Sequence, residues 1–266
     1  MRVRAIGELA RGALARSGGT AVSLAAFPDS PYFQAGGEIL WVGSRLPAMH
    51  PRAVVTAIPR PPGSALRFDA IPARGWSAQL PVLDAAGLAR ALAAARRLRQ
   101  ALAADAPRGF GSLLQGRIPE FPLDLAVSGV RALAAAYARG DPQAVFEASV
   151  ALFGVGAGFT PSGDDLAGAA LFGRRMVAPR DARWPAIAGR LQREILERSH
   201  GVSAALFSDL ARGSSFAPLH AAVEALALGD DAAALAAART LAGIGHSSGW
   251  DILTGVLIGI DGTLIG

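Results

Sequence analysis

Hydrophobic and polar positions alternate in short runs over the first third of the chain and recur at helical spacing over the rest. "TAVSLAAF" (Thr20–Phe27), "EILWVG" (Glu38–Gly43), "AVVTAI" (Ala53–Ile58) and "ALRFDAI" (Ala65–Ile71) are brief and β-rich, and Gly and Pro punctuate them at "SGG", "AGG" and "RPPG". They predict a small antiparallel sheet or barrel, preceded by an amphipathic helix near Val3–Arg16. From Asp84 the texture changes to Ala and Leu. "DAAGLARALAAARRLRQALAAD" opens on Asp84 as an N-cap. Further helices are predicted over 123–138, 142–153, 163–176, 185–199, 202–212, 217–228, 231–243 and 249–260. The expected architecture is α+β: a small β-rich N-terminal domain (sheet or barrel) over 1–82, then a mostly α-helical domain over 83–266. There is no βαβ alternation, and the glycine run "GVGAG" (Gly154–Gly158) follows a helix rather than a strand, so a dinucleotide fold is not expected.

Composition narrows the chemistry. With 266 residues, 52% of them hydrophobic, the chain can bury one large core or two smaller ones. Cysteine is absent, which excludes disulfides, thiol nucleophiles and thiolate metal sites. Lys and Asn are absent too, so there is no Schiff-base lysine and no ordinary P-loop. The formal net charge of +5 is carried by scattered Arg residues, the densest group being Arg96, Arg97 and Arg99 in a predicted helix. No basic stripe with interleaved aromatics is present, so nucleic acid is not an expected partner. The apolar run from Ile252 ends at Asp261, short of the roughly 20 residues a span needs, so no membrane partner is expected either. Glu8, Arg11 and Arg16 break up the N-terminal segment, a poor signal peptide; the expected location is cytoplasmic.

One stretch stands apart: "GFTPSGDDLAGAALFG", Gly158–Gly173, which has an echo in "GHSSGWDILTGVLIG", Gly245–Gly259. When Ser162 is aligned with Ser248, Gly163 meets Gly249, Asp165 meets Asp251, Ala169 meets Gly255 and Gly173 meets Gly259. Both segments read Ser-Gly-x-Asp and run into an apolar helix with small residues four apart. Ser followed three residues later by an acid is a capping pattern, which predicts that Ser162 and Ser248 accept from first-turn amides. Asp165 and Asp251 would then face the positive helix end as structural caps, or hold a metal. The small-residue faces predict that the two helices pack together with their N-termini joined, which would make an anion site. Asp164 is matched by Trp250 and is free of the capping role, which marks it for chemistry or substrate binding. The plainer alternative is that each segment is an ordinary helix start. His246 could act as acid, base or donor. His200 and Ser203 lie at a helix junction, and His50 and His220 suit structural roles. No His pair at i, i+4 supports zinc, and "GHSSG" lacks the frame of a nucleophile elbow.

"GVGAGFTPSGDDLAGAALFG", "GIGHSSGWDILTGVLIGI" and, more loosely, "HGVSAALFSDLARG" resemble the signature segments of the AllH-like family of oxamate carbamoyltransferase subunits, over about Phe153–Ile260. The chain has Phe159 where the family commonly has Leu, Ser247 where it has Thr, and Ser199–His200 where Thr residues are usual. The resemblance implies a subunit working with an acyl-CoA-ligase-like subunit and a second operon partner. It implies carbamoyl transfer between carbamoyl phosphate and oxamate, giving oxalurate and phosphate, in purine-ureide (allantoin) breakdown. On that reading Thr160, Ser162, Ser247, Ser248 and the amides of Gly163 and Gly249 hold phosphate and a developing oxyanion. Asp164 and His246 are the catalytic candidates, and Mg²⁺ is a candidate cofactor. Two other functions stay open: a non-catalytic assembly subunit, and a Mg²⁺-dependent small-molecule hydrolase or phosphotransferase.

Overall fold

A computed structural model describes residues 1–25, 32–57 and 65–264. The chain divides into two compact units, Met1–Ala78 and Gln79–Gly266.

Among the described residues, the first unit is an open mixed sheet of six strands with one helix. The strands are β1 (Val3–Ile6), β2 (Thr20–Ala25), β3 (Tyr32–Ala35), β4 (Glu38–Gly43), β5 (Ala53–Thr56) and β6 (Ala65–Arg67), in the order β1-β5-β4-β3-β2-β6. All neighbours are antiparallel except β4 and β5, which pair in parallel, so the expected all-antiparallel sheet or barrel is corrected to an open mixed sheet. The single helix expected over Val3–Arg16 is also corrected. "VRAI" forms β1, and only Glu8–Arg16 is helical, as α1. Gly7 makes the break: its N–H bonds Ala53 O, and a Cβ there would overlap the carbonyls of His50 and Pro51. Ala10, Ala13 and Leu14 of α1 join Phe33, Leu40, Val42, Val54 and Leu66 in the core of this unit. Strand β3 was not anticipated, and Ala26, Phe27 and Ile58, expected to end two strands, lie outside the described residues.

The second unit is helical. Its helices are α2 (Ala85–Ala103), α3 (Val127–Arg139), α4 (Pro142–Leu152), α5 (Ser162–Val177), α6 (Arg183–Arg198), α7 (Gly201–Ala211), α8 (Ala217–Leu228), α9 (Asp231–Ala242) and α10 (Ser248–Asp261). Two unpredicted 3-10 turns, Gly109–Gln115 and Leu123–Ala126, sit between α2 and α3. Side-chain caps begin α2, α4 and α9: Asp84 accepts from Gly87 N at 2.6 Å, Asp141 from Gln143 and Ala144 N at 3.1 Å, and Asp230 from Ala233 N at 2.9 Å.

Helices α5 and α10 form the centre. Every residue from Ser162 to Gly173 and from Gly249 to Ile260 is buried, the mark of helices covered on all sides. They run side by side in the same direction with their backbones touching. A Cβ on Gly255 would overlap Leu166 O, one on Gly259 would overlap Ala170 O, and one on Gly173 would overlap Val256 O. Since Gly173 matches Gly259 and Ala170 matches Val256, the last two contacts are reciprocal, and the pair is related by an approximate two-fold axis. On the outer faces of α5, Leu166 and Ala170 pack with α3 and α4, and Ala167 and Leu171 pack with α6 and α7. At the far end of α10, Asp261 pairs at 2.7 Å with Arg99 of α2, which is fully buried. Arg97 pairs with Asp231, so the arginine group of α2 divides between core and surface.

Candidate functional site

The chain on either side of the central pair repeats a local device. Gly163 N donates to Val155 O at 2.9 Å and Gly249 N to Ile244 O at 3.0 Å. A Cβ on Gly163 would overlap Leu152 O at the end of α4, and one on Gly249 would overlap Leu241 O near the end of α9. These two glycines therefore let each central helix start against the carbonyl end of the helix before it. Their amides, expected to face phosphate, are already used; that part of the expectation is corrected.

The expected serine caps are also corrected. Pro161 and Ser247 occupy the N-cap positions, neither helix has a side-chain cap, and Ser162 and Ser248 are first helical residues. Their hydroxyls point across the pair instead: Thr160 Oγ1 lies 3.2 Å from Ser248 Oγ, and Ser162 Oγ lies 3.3 Å from Ser247 Oγ. The two motifs are thus together in space, as their repetition predicts.

Beneath these hydroxyls lie three buried carboxyls with different surroundings. Asp164 is satisfied. Its Oδ1 accepts from Gly154 N at 2.8 Å, and its Oδ2 accepts from Ser203 Oγ at 2.6 Å and from Ser199 Oγ. It ties the glycine loop after α4 to the start of α7. Asp165 and Asp251 are not satisfied. Asp251 Oδ1 accepts from Phe110 N at 2.7 Å, in the first 3-10 turn, but Asp251 Oδ2 and Asp165 Oδ2 have no hydrogen-bond partner among the described residues. The Asp165 side chain is 4% exposed as a residue and Asp251 is fully buried. No cation pairs with any of the three among the described residues, whereas buried Asp261 and Asp209 each have an Arg. Asp165 and Asp251 therefore do not cap their own helices, contrary to one of the roles expected of them.

Burial and the neighbouring Asp251 charge push the Asp165 carboxyl well above the ordinary carboxylate range, against the hydroxyls of Ser248 and Thr160, which lower it. Burial pushes Asp251 up to about 7, opposed by the Phe110 amide and by the hydroxyls of Ser162 and Ser247.

The rim is more open. Thr160, Ser247 and Ser248 are half-buried, and Gly158, Gly245 and His246 are exposed. His246 makes no hydrogen bond or ion pair among the described residues. His200 is exposed at the N-cap of α7 with its ring 5.6 Å from that of Phe159. Gly109 was missed in the sequence: a Cβ there would overlap Asp251 Oδ1 and crowd Ser247, so it brings the 3-10 turn against the second motif. Its only signal in the sequence was a pair of glycines in the "RGFG" stretch, the first of which the structure holds at φ +57°. Of the other histidines, His50 is buried and accepts from Arg52 N through Nδ1, and His220 is buried and accepts from Ser215 N through Nε2, in line with structural roles.

Among the described residues no group of three or more His, Cys, Asp and Glu is placed to hold a metal, and no helix is long and apolar enough to cross a membrane. Residues 152–260, from the end of α4 through nearly all of α10, match the family model described as oxamate carbamoyltransferase subunit AllH, the family the two motifs resemble. No curated protein and no solved structure matches the chain.

Proposed function

We propose that this chain is a subunit of a carbamoyltransferase of the oxamate type, and that it contributes the joined starts of α5 and α10 to the active site. One observation carries this reading: the matched segment converges four hydroxyls and two incompletely bonded carboxyls on one half-open place. In the reaction the oxamate amide nitrogen attacks the carbonyl carbon of carbamoyl phosphate. The new C–N bond forms, the C–O bond to phosphate breaks, and phosphate leaves with the electron pair. The amide loses one proton, giving oxalurate.

The chain's residues divide this work. Thr160, Ser162, Ser247 and Ser248 donate to the phosphate and to the oxyanion that develops on the carbonyl. The amides of Ser162 and Ser248, first in their helices and without a backbone acceptor among the described residues, add the positive helix ends. His246, exposed beside Ser247 and unengaged, takes the amide proton. Asp164 positions the Gly154 loop and α7 and does not meet substrate, since its hydrogen bonds are spent on the fold. Other subunits complete the site and bind the rest of the substrates.

The test is the carbamoyl-transfer rate of the assembled complex with Ser162→Ala/Ser248→Ala. A loss of roughly a hundredfold is expected, about tenfold per donor. If the complex assembles and keeps its full rate, the chain is an assembly subunit and the reading fails.

A further inference from the structure

We propose that Asp165 and Asp251 hold a divalent cation, Mg²⁺, between the starts of α5 and α10, with the hydroxyls above them and a substrate phosphate oxygen sharing its shell. The existence of the site rests on this chain alone; the service it gives to phosphate rests on the function proposed above.

A buried carboxylate oxygen with no partner costs several kcal/mol, on the order expected for burying an unpaired charge, unless something neutralises it. Here two such oxygens, Oδ2 of Asp165 and Oδ2 of Asp251, come from equivalent positions of two touching helices. Elsewhere in the unit the charge of such a carboxylate is paired with arginine, Arg99 at Asp261 and Arg212 at Asp209, although Asp261 too keeps one oxygen, Oδ2, without a hydrogen-bond partner. At this place no arginine pairs with either carboxyl among the described residues, and the sequence has no lysine.

The donor set names the ion. Two carboxylates and the hydroxyls of Thr160, Ser162, Ser247 and Ser248 are all oxygen, which suits a hard cation; the cysteines that softer metals prefer do not exist in this chain. Mg²⁺ is ordinarily held by one or two carboxylates, keeps waters, and takes its remaining oxygens from phosphate. Two carboxylates without a third acid match that pattern rather than the fuller cage of Ca²⁺. The ion also resolves a conflict within the site. A phosphate approaching three buried carboxylates is repelled, and a divalent ion bridging Asp165, Asp251 and the phosphate reverses the sign of that interaction. The rival occupant is a proton shared by the two acids.

The experiment uses the full chain, purified without substrate and stripped with chelator, over a series of rising pH values, since a shared proton loses occupancy as pH rises and a bound ion gains it. Mg²⁺ is titrated by calorimetry and by thermal melting, and Mn²⁺ by electron paramagnetic resonance. One ion per chain and a melting temperature that rises with Mg²⁺ are expected. Asp165→Asn/Asp251→Asn should bind no ion, melt at or above the stripped wild type because the repulsion is gone, and ignore Mg²⁺. Should the double variant not fold, Ser247→Ala, at the half-buried rim, should weaken Mn²⁺ binding several-fold. Absence of any bound ion in the wild type, or unchanged Mn²⁺ binding in a folded double variant, overturns the site. The two proposals separate cleanly. Ion binding without carbamoyl transfer by the assembled complex sinks the function and spares the metal; transfer at full rate in excess chelator, with no ion bound, does the reverse.

Discussion

Asp164 and Asp165 are neighbours in sequence but about 100° apart around α5, enough to give them different surroundings. Asp164 turns towards Gly154, Ser199 and Ser203; Asp165 turns towards α10. The sequence pattern marked Asp164 as the freer of the two because its counterpart is Trp250, and the structure reverses that assignment. A repeat can show which positions correspond, but not which tertiary partners reach them. Asp164→Ala should therefore destabilise the chain by about 2–4 kcal/mol, since it removes an acceptor of three hydrogen bonds from a buried place, and urea unfolding would measure it. A variant that melts like wild type would return Asp164 to the list of substrate-binding groups. Gly249→Ala tests the close start of α10 against α9. Its Cβ would overlap a backbone carbonyl, which cannot swing aside as a side chain can. A loss of about 1–3 kcal/mol or more is expected in the same assay.

At the level of elements, the helices of the second unit were legible because their signals are local. Ala and Leu recur at helical spacing, and Asp84, Asp141 and Asp230 cap directly. Asp230→Ala should lower stability by about 1 kcal/mol and fray α9, read by amide exchange at its first turn. Strand β1 and the 3-10 turn at Gly109–Gln115 were not legible, because their causes are distant. The first depends on Ala53 and the His50–Pro51 carbonyls closing on Gly7. The second depends on Asp251, far along the chain, accepting from Phe110 N. The contact of α5 with α10 is a long-range feature that could be read, since its small residues recur in both segments at matching positions. What the pattern could not supply was the direction of the serine hydroxyls, which cross between the helices rather than turning back to cap.

For the whole molecule, the dependence of stability on pH gathers several buried groups. Burial lowers the affinity of His220 for its proton. Between its depressed folded value and the unfolded value near 6.5, the unfolded chain binds more protons, so this residue's contribution is full above about pH 6.5 and is lost as pH falls below it. Asp165 and Asp251, raised by burial, act in the opposite sense, so the wild-type curve alone does not isolate His220. Its difference from His220→Gln does: the variant should lose less stability on acidification from about pH 7 to pH 5, and parallel melting curves would refute this. The approximate two-fold axis between α5 and α10 has a consequence for orientation. Half a turn about that axis exchanges Ser162 with Ser248 and Asp165 with Asp251, so this inner part of the site is a palindrome that reads alike from both sides, whereas Thr160 falls on His246 and Ser247 on Pro161. Oxamate and carbamoyl phosphate are not palindromes. The choice of which end faces which substrate falls to the parts that do not repeat. These are the longer loop before α5, where Phe159 meets His200, and the single imidazole of His246 before α10.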